Sequence, residues 1–272
     1  ATLSPFAPNG VVAHSNMEQI GLAGYEWWTF TYNALAHTLV GFGGFLLLGG
    51  WKLFGRGAQR ADAGDVKTVE PMGAKHWLTT AGIVALIASV VGFDAAGFDV
   101  NVGMVAVIVA TVLVLLRAVD ESKAIARMPW GVIMMVTGVT VLIALLRETQ
   151  GLDLIAAGIE NVSTPTTIEP IVAFGVGLVS VYSSTSGVVL PAFLPLVPGL
   201  AMRLGGLDPL PIALSMDVAA SLVDLSSLST GGALFIAGAA GFADTRKLFN
   251  QLLALGMSVR LVGAALCYVL FG

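Results

Sequence analysis

The chain has 272 residues, of which 56% are hydrophobic and 11% charged, with a formal net charge of −4. Soluble domains carry about 25% charged residues, so this composition, with a mean hydropathy of +0.88, excludes an ordinary soluble protein and points to a chain embedded in a lipid bilayer. The small negative charge gives no sign of a nucleic-acid partner, and none is expected. The single cysteine, Cys267, excludes an intrachain disulfide.

Taken in order, the chain opens ATLSPFAPNG, without an initiator Met or a charged leader, and reads as shortened at its N-terminus. Residues 1–13, with Pro5, Pro8 and Gly10, are expected to be a loop, and residues 14–25 a connector. Residues 27–51 form the first long apolar run, with aromatics at both ends as at headgroup level and glycines that allow close helix packing. Residues 52–75 are hydrophilic, with Lys52, Arg56, Arg60, Lys67 and Lys75 against Asp62, Asp65 and Glu70. The positive-inside rule makes this linker cytoplasmic. Residues 76–92 and 100–117 are the next spans, joined by FDAAGFD, which lacks Lys and Arg and is expected outside. The segment 118–127, near Arg117, Lys123 and Arg127, is cytoplasmic again. Residues 128–146 span back, with Trp130, Met134 and Met135 as packing and interface residues. Residues 149–163 are amphipathic and expected at the outer interface.

Residues 166–204 differ from a simple span. Two apolar arms of roughly 17 residues, each near the lower limit for crossing a core of about 30 Å, flank the polar knot Ser183-Ser184-Thr185-Ser186-Gly187. Non-helical backbone at membrane depth must be buried in protein or line a cavity, so the stretch reads as a re-entrant helical hairpin entering from outside. Residues 209–242 read as one broken helix, interrupted by Asp217, Asp224 and a second knot, LSSLSTGG. Arg246 and Lys247 mark the cytoplasmic side before the last span, 248–271.

Residues 32–55 and 249–272 align without gaps: Asn33 matches Asn250, Leu35 matches Leu252, and Leu53-Phe54-Gly55 matches Leu270-Phe271-Gly272. Cations follow the first copy and precede the second, so the two cross the membrane in opposite directions. That is the inverted-topology repeat of many secondary transporters. Residues 1–55 then form the C-terminal part of a first repeat, 56–75 a cytoplasmic linker and 76–272 a second repeat. The first repeat's own hairpin is expected upstream of residue 1.

Candidate site residues follow from this layout. At the tip, Ser183, Ser184, Thr185, Ser186 and Gly187 offer hydroxyls and backbone N–H groups at converging half-helix ends, which favour an anion. The alternative is that small residues merely let helices pack. Ser4, Pro5 and Asn9, and Ser229 and Thr230, are substrate-binding candidates on two unwound loops. Gly231 and Gly232 supply carbonyls for a cation. Asp217 and Asp224, seven apart, are expected on one helix face, where intramembrane carboxylates carry a proton or complete a cation site. The bland alternative has Asp224 as a cap and Asp217 paired with Arg260. Asn33 and Asn250 are expected to bond across helices, and His37 to be a satisfied core histidine. No metal-ligand cluster and no nucleophile elbow is visible, so no enzyme, cofactor or bound metal is expected beyond Na⁺ or H⁺ as coupling ion.

Three stretches resemble the ion transporter superfamily, which includes the divalent anion/sodium symporters. They are LSPFAPNGVVA at residues 3–13, RMPWGVIMMVTGVTVLIALLRETQGLDLIA at 127–156 and SSTSGVVLPAFLPLVPGLA at 183–201. The likeness is greatest to the malonate/dicarboxylate carrier branch. It implies an all-α polytopic membrane protein with inverted repeats, a re-entrant hairpin and broken transmembrane helices. It also implies transport of small organic anions, C3 or C4 dicarboxylates, across the inner (plasma) membrane. Family tips typically read Ser-Asn-Thr, whereas this chain has Ser184-Thr185-Ser186. The expected partners are a small anionic substrate and the bilayer, with a homodimer left open. Alternatives are another anion such as citrate, sulfate or an oxyanion, a Na⁺/H⁺ antiporter, or a non-transporting membrane subunit or sensor.

Overall fold

The structure, a computed structural model, describes residues 3–47, 49–50, 73–96, 102–118, 120–126, 128, 130–224, 226–229, 232, 235–236, 238–239 and 244–272. Most of the described residues are helical, with no strand among them. Among the described residues, three helical stretches are long and apolar enough to cross a membrane: Ala74–Phe93, Thr185–Arg203 and Thr245–Phe271. Most of the linker 52–75, with Lys52, Arg56, Arg60 and Lys67, lies outside the described residues, as do Arg127, Thr230 and Gly231. The chain divides into two compact units, residues 51–130 and the remainder.

In the smaller unit, α3 (Ala74–Ala95) and α4 (Val102–Leu115) pack together and α5 (Glu121–Ala126) follows. Gly82 provides the close approach, since a Cβ there would come within 3.0 Å of Leu113 Cδ1. Asp120 Oδ1 caps α5 by accepting from Lys123 N at 3.1 Å.

The larger unit opens with a departure from expectation. Residues 1–13 are not a continuous loop: α1 runs Pro8–Gln19. Proline at the first helical position has φ preset and lacks only an N–H that would be unpaired anyway. Gly21, at φ 85°, ends the helix. Leu22 N bonds Met17 O at 2.9 Å and Gly21 N bonds Glu18 O at 3.0 Å, with Met17 and Leu22 both buried. This is the left-handed terminator with its apolar contact. Half of the residues expected as a connector, 14–19, therefore continue α1.

Next come α2 (Glu26–Leu47), α6 (Trp130–Glu148) and the amphipathic α7 (Gly151–Glu160), which buries Leu152 and Ala156. α8 (Ile168–Tyr182) stops at Ser183. A π-turn (Thr185–Val189), α9 (Leu190–Phe193), a 3₁₀ turn (Leu194–Leu196) and α10 (Val197–Arg203) then form a second arm. Pro191, Pro195 and Pro198 sit at the starts of its short helical pieces. α11 (Pro209–Leu222) is capped by Asp208 Oδ1, which accepts from Leu210 N at 3.0 Å. α12 (Thr245–Phe271) is capped by Asp244 Oδ1, which accepts from Arg246 N and Lys247 N.

α11 is the axis of this unit, buried along nearly its whole length. One face packs Ile212, Ala213, Met216 and Ala220 with α1, the second arm and Val172 and Val176 of α8. Another packs Val218, Ala219 and Leu222 with Ala36 of α2, Ala173 of α8, and Ala264 and Cys267 of α12. Small residues bring the backbones close: a Cβ on Gly177 would meet Arg260 Cβ at 3.4 Å, and one on Gly256 would meet Ser226 Cβ at 2.9 Å.

Candidate functional site

The polar breaks expected from sequence meet at the lower end of α11. α11 stops at Leu222, and Asp224 N turns back to bond Ser221 O at 3.2 Å. The Ala220 carbonyl, which a continued helix would have used, is left as an orphan acceptor. Two hydroxyls lie within hydrogen-bonding distance of it, from α8 and the tip: Ser180 Oγ at 2.9 Å and Thr185 Oγ1 at 3.2 Å. Ser180 Oγ and Thr185 Oγ1 are themselves 2.9 Å apart.

Each hydroxyl has one proton. With Ser180 donating to Ala220 O, Thr185 is free to donate to Asp224 Oδ1, 3.2 Å away. Asn9 Nδ2, from the first turn of α1, donates to Asp224 Oδ2 at 3.4 Å. Asp224 thus joins three segments that are remote in sequence. The loop beyond it is tied in by Ser229 Oγ, which reaches the carbonyls of Asp224 and Ser226 and accepts from Gly232 N at 3.2 Å. Ser226 Oγ donates to Val181 O at 3.2 Å, fastening this loop to the end of α8.

The tip itself is extended at Ser183 and Ser184. Ser184 Oγ accepts from Gly187 N at 3.1 Å, capping the second arm. Ser183 Oγ and Ser227 Oγ are buried atoms without a hydrogen-bond partner. Ser4 and Pro5 form the turn before α1, where Ala7 N bonds Ser4 O at 2.9 Å. Gly10 lies so close that a Cβ would come 1.9 Å from Ser4 O.

Of the predicted site residues, Thr185, Asn9 and Asp224 are in direct contact, and Ser229 and Gly232 secure the adjoining loop. Ser183, Ser184, Ser186 and Gly187 share the tip. Asn9 belongs to a helix rather than an unwound loop. Thr230 and Gly231 lie outside the described residues. The shared helix face expected for Asp217 and Asp224 does not exist, because the helix ends between them and only Asp224 reaches the cluster. Asp217 does not pair with Arg260, whose guanidinium lies 4.7 Å from the centroid of Phe174. His37 Nδ1 lies 2.8 Å from Asn33 O one turn back, within its own helix, and the residue is half-buried rather than in the core. Ser180 and the Ala220 carbonyl lie outside the expected site, and Ser226 falls within the second knot without an assigned role. Ser180 carries no sequence signal of its own, being one small polar residue in an apolar arm.

Chemically, the cluster is one carboxylate among hydroxyls, a side-chain amide and backbone groups. Among the described residues, no three His, Cys, Asp or Glu side chains come together to hold a metal ion. Comparison with protein-family models, curated proteins and solved structures finds no match.

Proposed function

We propose that the protein is a secondary transporter of small organic anions, C3 or C4 dicarboxylates, coupled to Na⁺ or H⁺ and working by alternating access in the inner (plasma) membrane. The observation that carries this reading is the Asn9–Asp224–Thr185 cluster, in which three polar interruptions of apolar sequence converge. Polar breaks inside a membrane protein are tolerated where they line a cavity or site, and secondary transporters build their sites from such broken helices. A dicarboxylate beside Asp224 needs a positive partner. The oxygens of Asp224, Thr185, Ser180 and the Ala220 carbonyl are hard donors suited to an alkali cation, leaving the N–H groups and remaining tip hydroxyls to the anion.

Two further features support the inverted-repeat and hairpin parts of the reading. Ser180 and Thr185 both meet Ala220 near the end of α11, while α10 reaches the start of α11 through the short link 204–208. The second arm therefore runs antiparallel to α11. Gly177 lies near Ala219 O and Ser180, three residues on, bonds Ala220 O, so α8 runs in the same direction as α11. The chain reverses at the tip. Tyr32, early in α2, contacts Phe271 at the end of α12 with ring centroids 4.9 Å apart, which supports an opposite direction for these two helices.

The test is uptake of radiolabelled malonate and succinate by the full-length protein in proteoliposomes, with imposed Na⁺ and H⁺ gradients. Saturable uptake is expected, reduced at least about tenfold in Ser184→Ala/Thr185→Ala, since losing hydrogen bonds to a charged group costs about 1.5–3 kcal/mol each. Absence of uptake under every gradient, or uptake unaffected by the double substitution, overturns the reading.

A further inference from the structure

Asp217 is a buried acid that the polar cluster leaves unused. It lies in the middle of α11, fully buried, and neither carboxyl oxygen has a hydrogen-bond partner. α11 is packed by α1, α8, α12, α2, α10, α9 and the π-turn. The titratable and charged groups on these elements are His14 and Glu18 of α1; Glu169 and Tyr182 of α8; Arg246, Lys247, Arg260, Cys267 and Tyr268 of α12; Glu26, Tyr32 and His37 of α2; and Arg203 of α10. α9 and the π-turn carry none. Asp208 and Asp224 flank α11 itself. Arg203 is paired with Asp153 and Glu160, Arg260 lies over Phe174, Cys267 Sγ bonds Ser215 O and His37 bonds within α2. None of these groups makes an ion pair or hydrogen bond with Asp217. As an anion Asp217 would lack water, donor and counter-charge together, a state that buried carboxylates avoid by taking up a proton.

We propose that Asp217 is the proton-carrying site of the transport cycle, which rests on the transporter reading above. In the conformation described here the carboxyl group holds its proton. When rearrangement of the helices around α11 admits water, the O–H bond breaks, the proton passes to water and the hydrated carboxylate remains. Reprotonation from the other side of the membrane lets α11 be buried again. One proton thus moves for each cycle of burial and exposure, while Asp224, held by Thr185 and Asn9, serves the substrate cluster. The co-transported ion is H⁺ on this assignment, whether or not a metal cation also binds at Asp224.

Two measurements on the full-length protein test this. In infrared difference spectra at neutral pH, the carbonyl-stretch band of a protonated carboxyl group is expected in the wild type, lost in Asp217→Asn and shifted in Asp217→Glu. A spectrum unchanged by Asp217→Asn overturns the assignment. In proteoliposomes, one coupled proton raises succinate accumulation about tenfold per pH unit of inward gradient. That response is expected to vanish in Asp217→Asn and persist in Asp217→Glu. Succinate counterflow, which needs no net proton movement, is expected to survive in both variants and shows that they are folded. Undiminished gradient-driven accumulation in Asp217→Asn overturns the assignment. If the wild type gives no counterflow, the transport reading falls, and the infrared spectra still decide whether Asp217 holds a proton.

Discussion

At the scale of single residues, the tightest point near the site is Gly10. A Cβ there would stand 1.9 Å from a backbone oxygen, that of Ser4, which has no side-chain rotamer with which to yield. Gly41 of α2 is the opposite case, with nothing within 4 Å of a Cβ. Gly10→Ala is therefore expected to destabilise by at least about 2 kcal/mol, the range of overpacking in a dense interior. It should also weaken substrate binding by displacing Asn9. Gly41→Ala should stabilise by about 0.5–1 kcal/mol, because glycine in a helix interior gives up more backbone freedom than alanine. Thermal unfolding of the two variants in detergent distinguishes them. Equal midpoints would mean that the Ser4 turn and α1 are not packed as described.

At the scale of elements, the π-turn Thr185–Val189 sets which hydroxyl meets Asp224. Val189 N bonds Ser184 O and Leu190 N bonds Thr185 O, each one residue beyond the α-helical pattern. Such turns hold an extra residue and recur at functional sites. Deleting Val188 should restore an α-helical turn and rotate the tip by about 100° against the arm, removing Thr185 from Asp224. The deletion is expected to abolish substrate binding, read by equilibrium dialysis, while leaving helical content by circular dichroism unchanged. Binding equal to wild type would dissociate the π-turn from the site. Much of this element was legible: the Ser/Thr/Gly knot between apolar arms marks the break because nothing else in the segment competes with a helix. The π-turn was not, because its extra residue is decided by where Ser180, Thr185 and Ala220 meet. α1 was misread for a related reason. Pro8 and Gly10 read locally as loop residues, whereas Pro8 starts the helix and Gly10 is needed for contact with Ser4. The spacing of Asp217 and Asp224 suggested one face only while the helix was assumed to continue.

At the scale of the larger unit, α7 and the head of α12 belong at opposite membrane surfaces if the hairpin enters as proposed. Val162, just after α7, is 68% exposed, Lys247 is also exposed, and Cys267 is fully buried. Membrane-impermeant maleimide is expected to label Val162→Cys only from outside intact cells and Lys247→Cys only after permeabilisation, with the native cysteine unreactive in both. Labelling of both from the same side would rule out the orientation inferred from Arg246 and Lys247. The composition and the positions of the cations made the membrane class readable at this scale. The union of three polar segments at one carboxylate depends on tertiary packing that no local pattern encodes.

That union has a consequence for biosynthesis. Asn9 and Asp224 are 215 residues apart in the chain. At about 5–20 residues per second, the Asp224 side chain emerges some 10–40 s after Asn9. Throughout that interval the head of α1 is already made, while its acceptor, the tip that flanks it and the helix that buries it do not yet exist. The site cannot close before Asp224 arrives, so a chain arrested or released between Asn9 and Asp224 carries an exposed polar end into the lipid and is a natural substrate for membrane quality control.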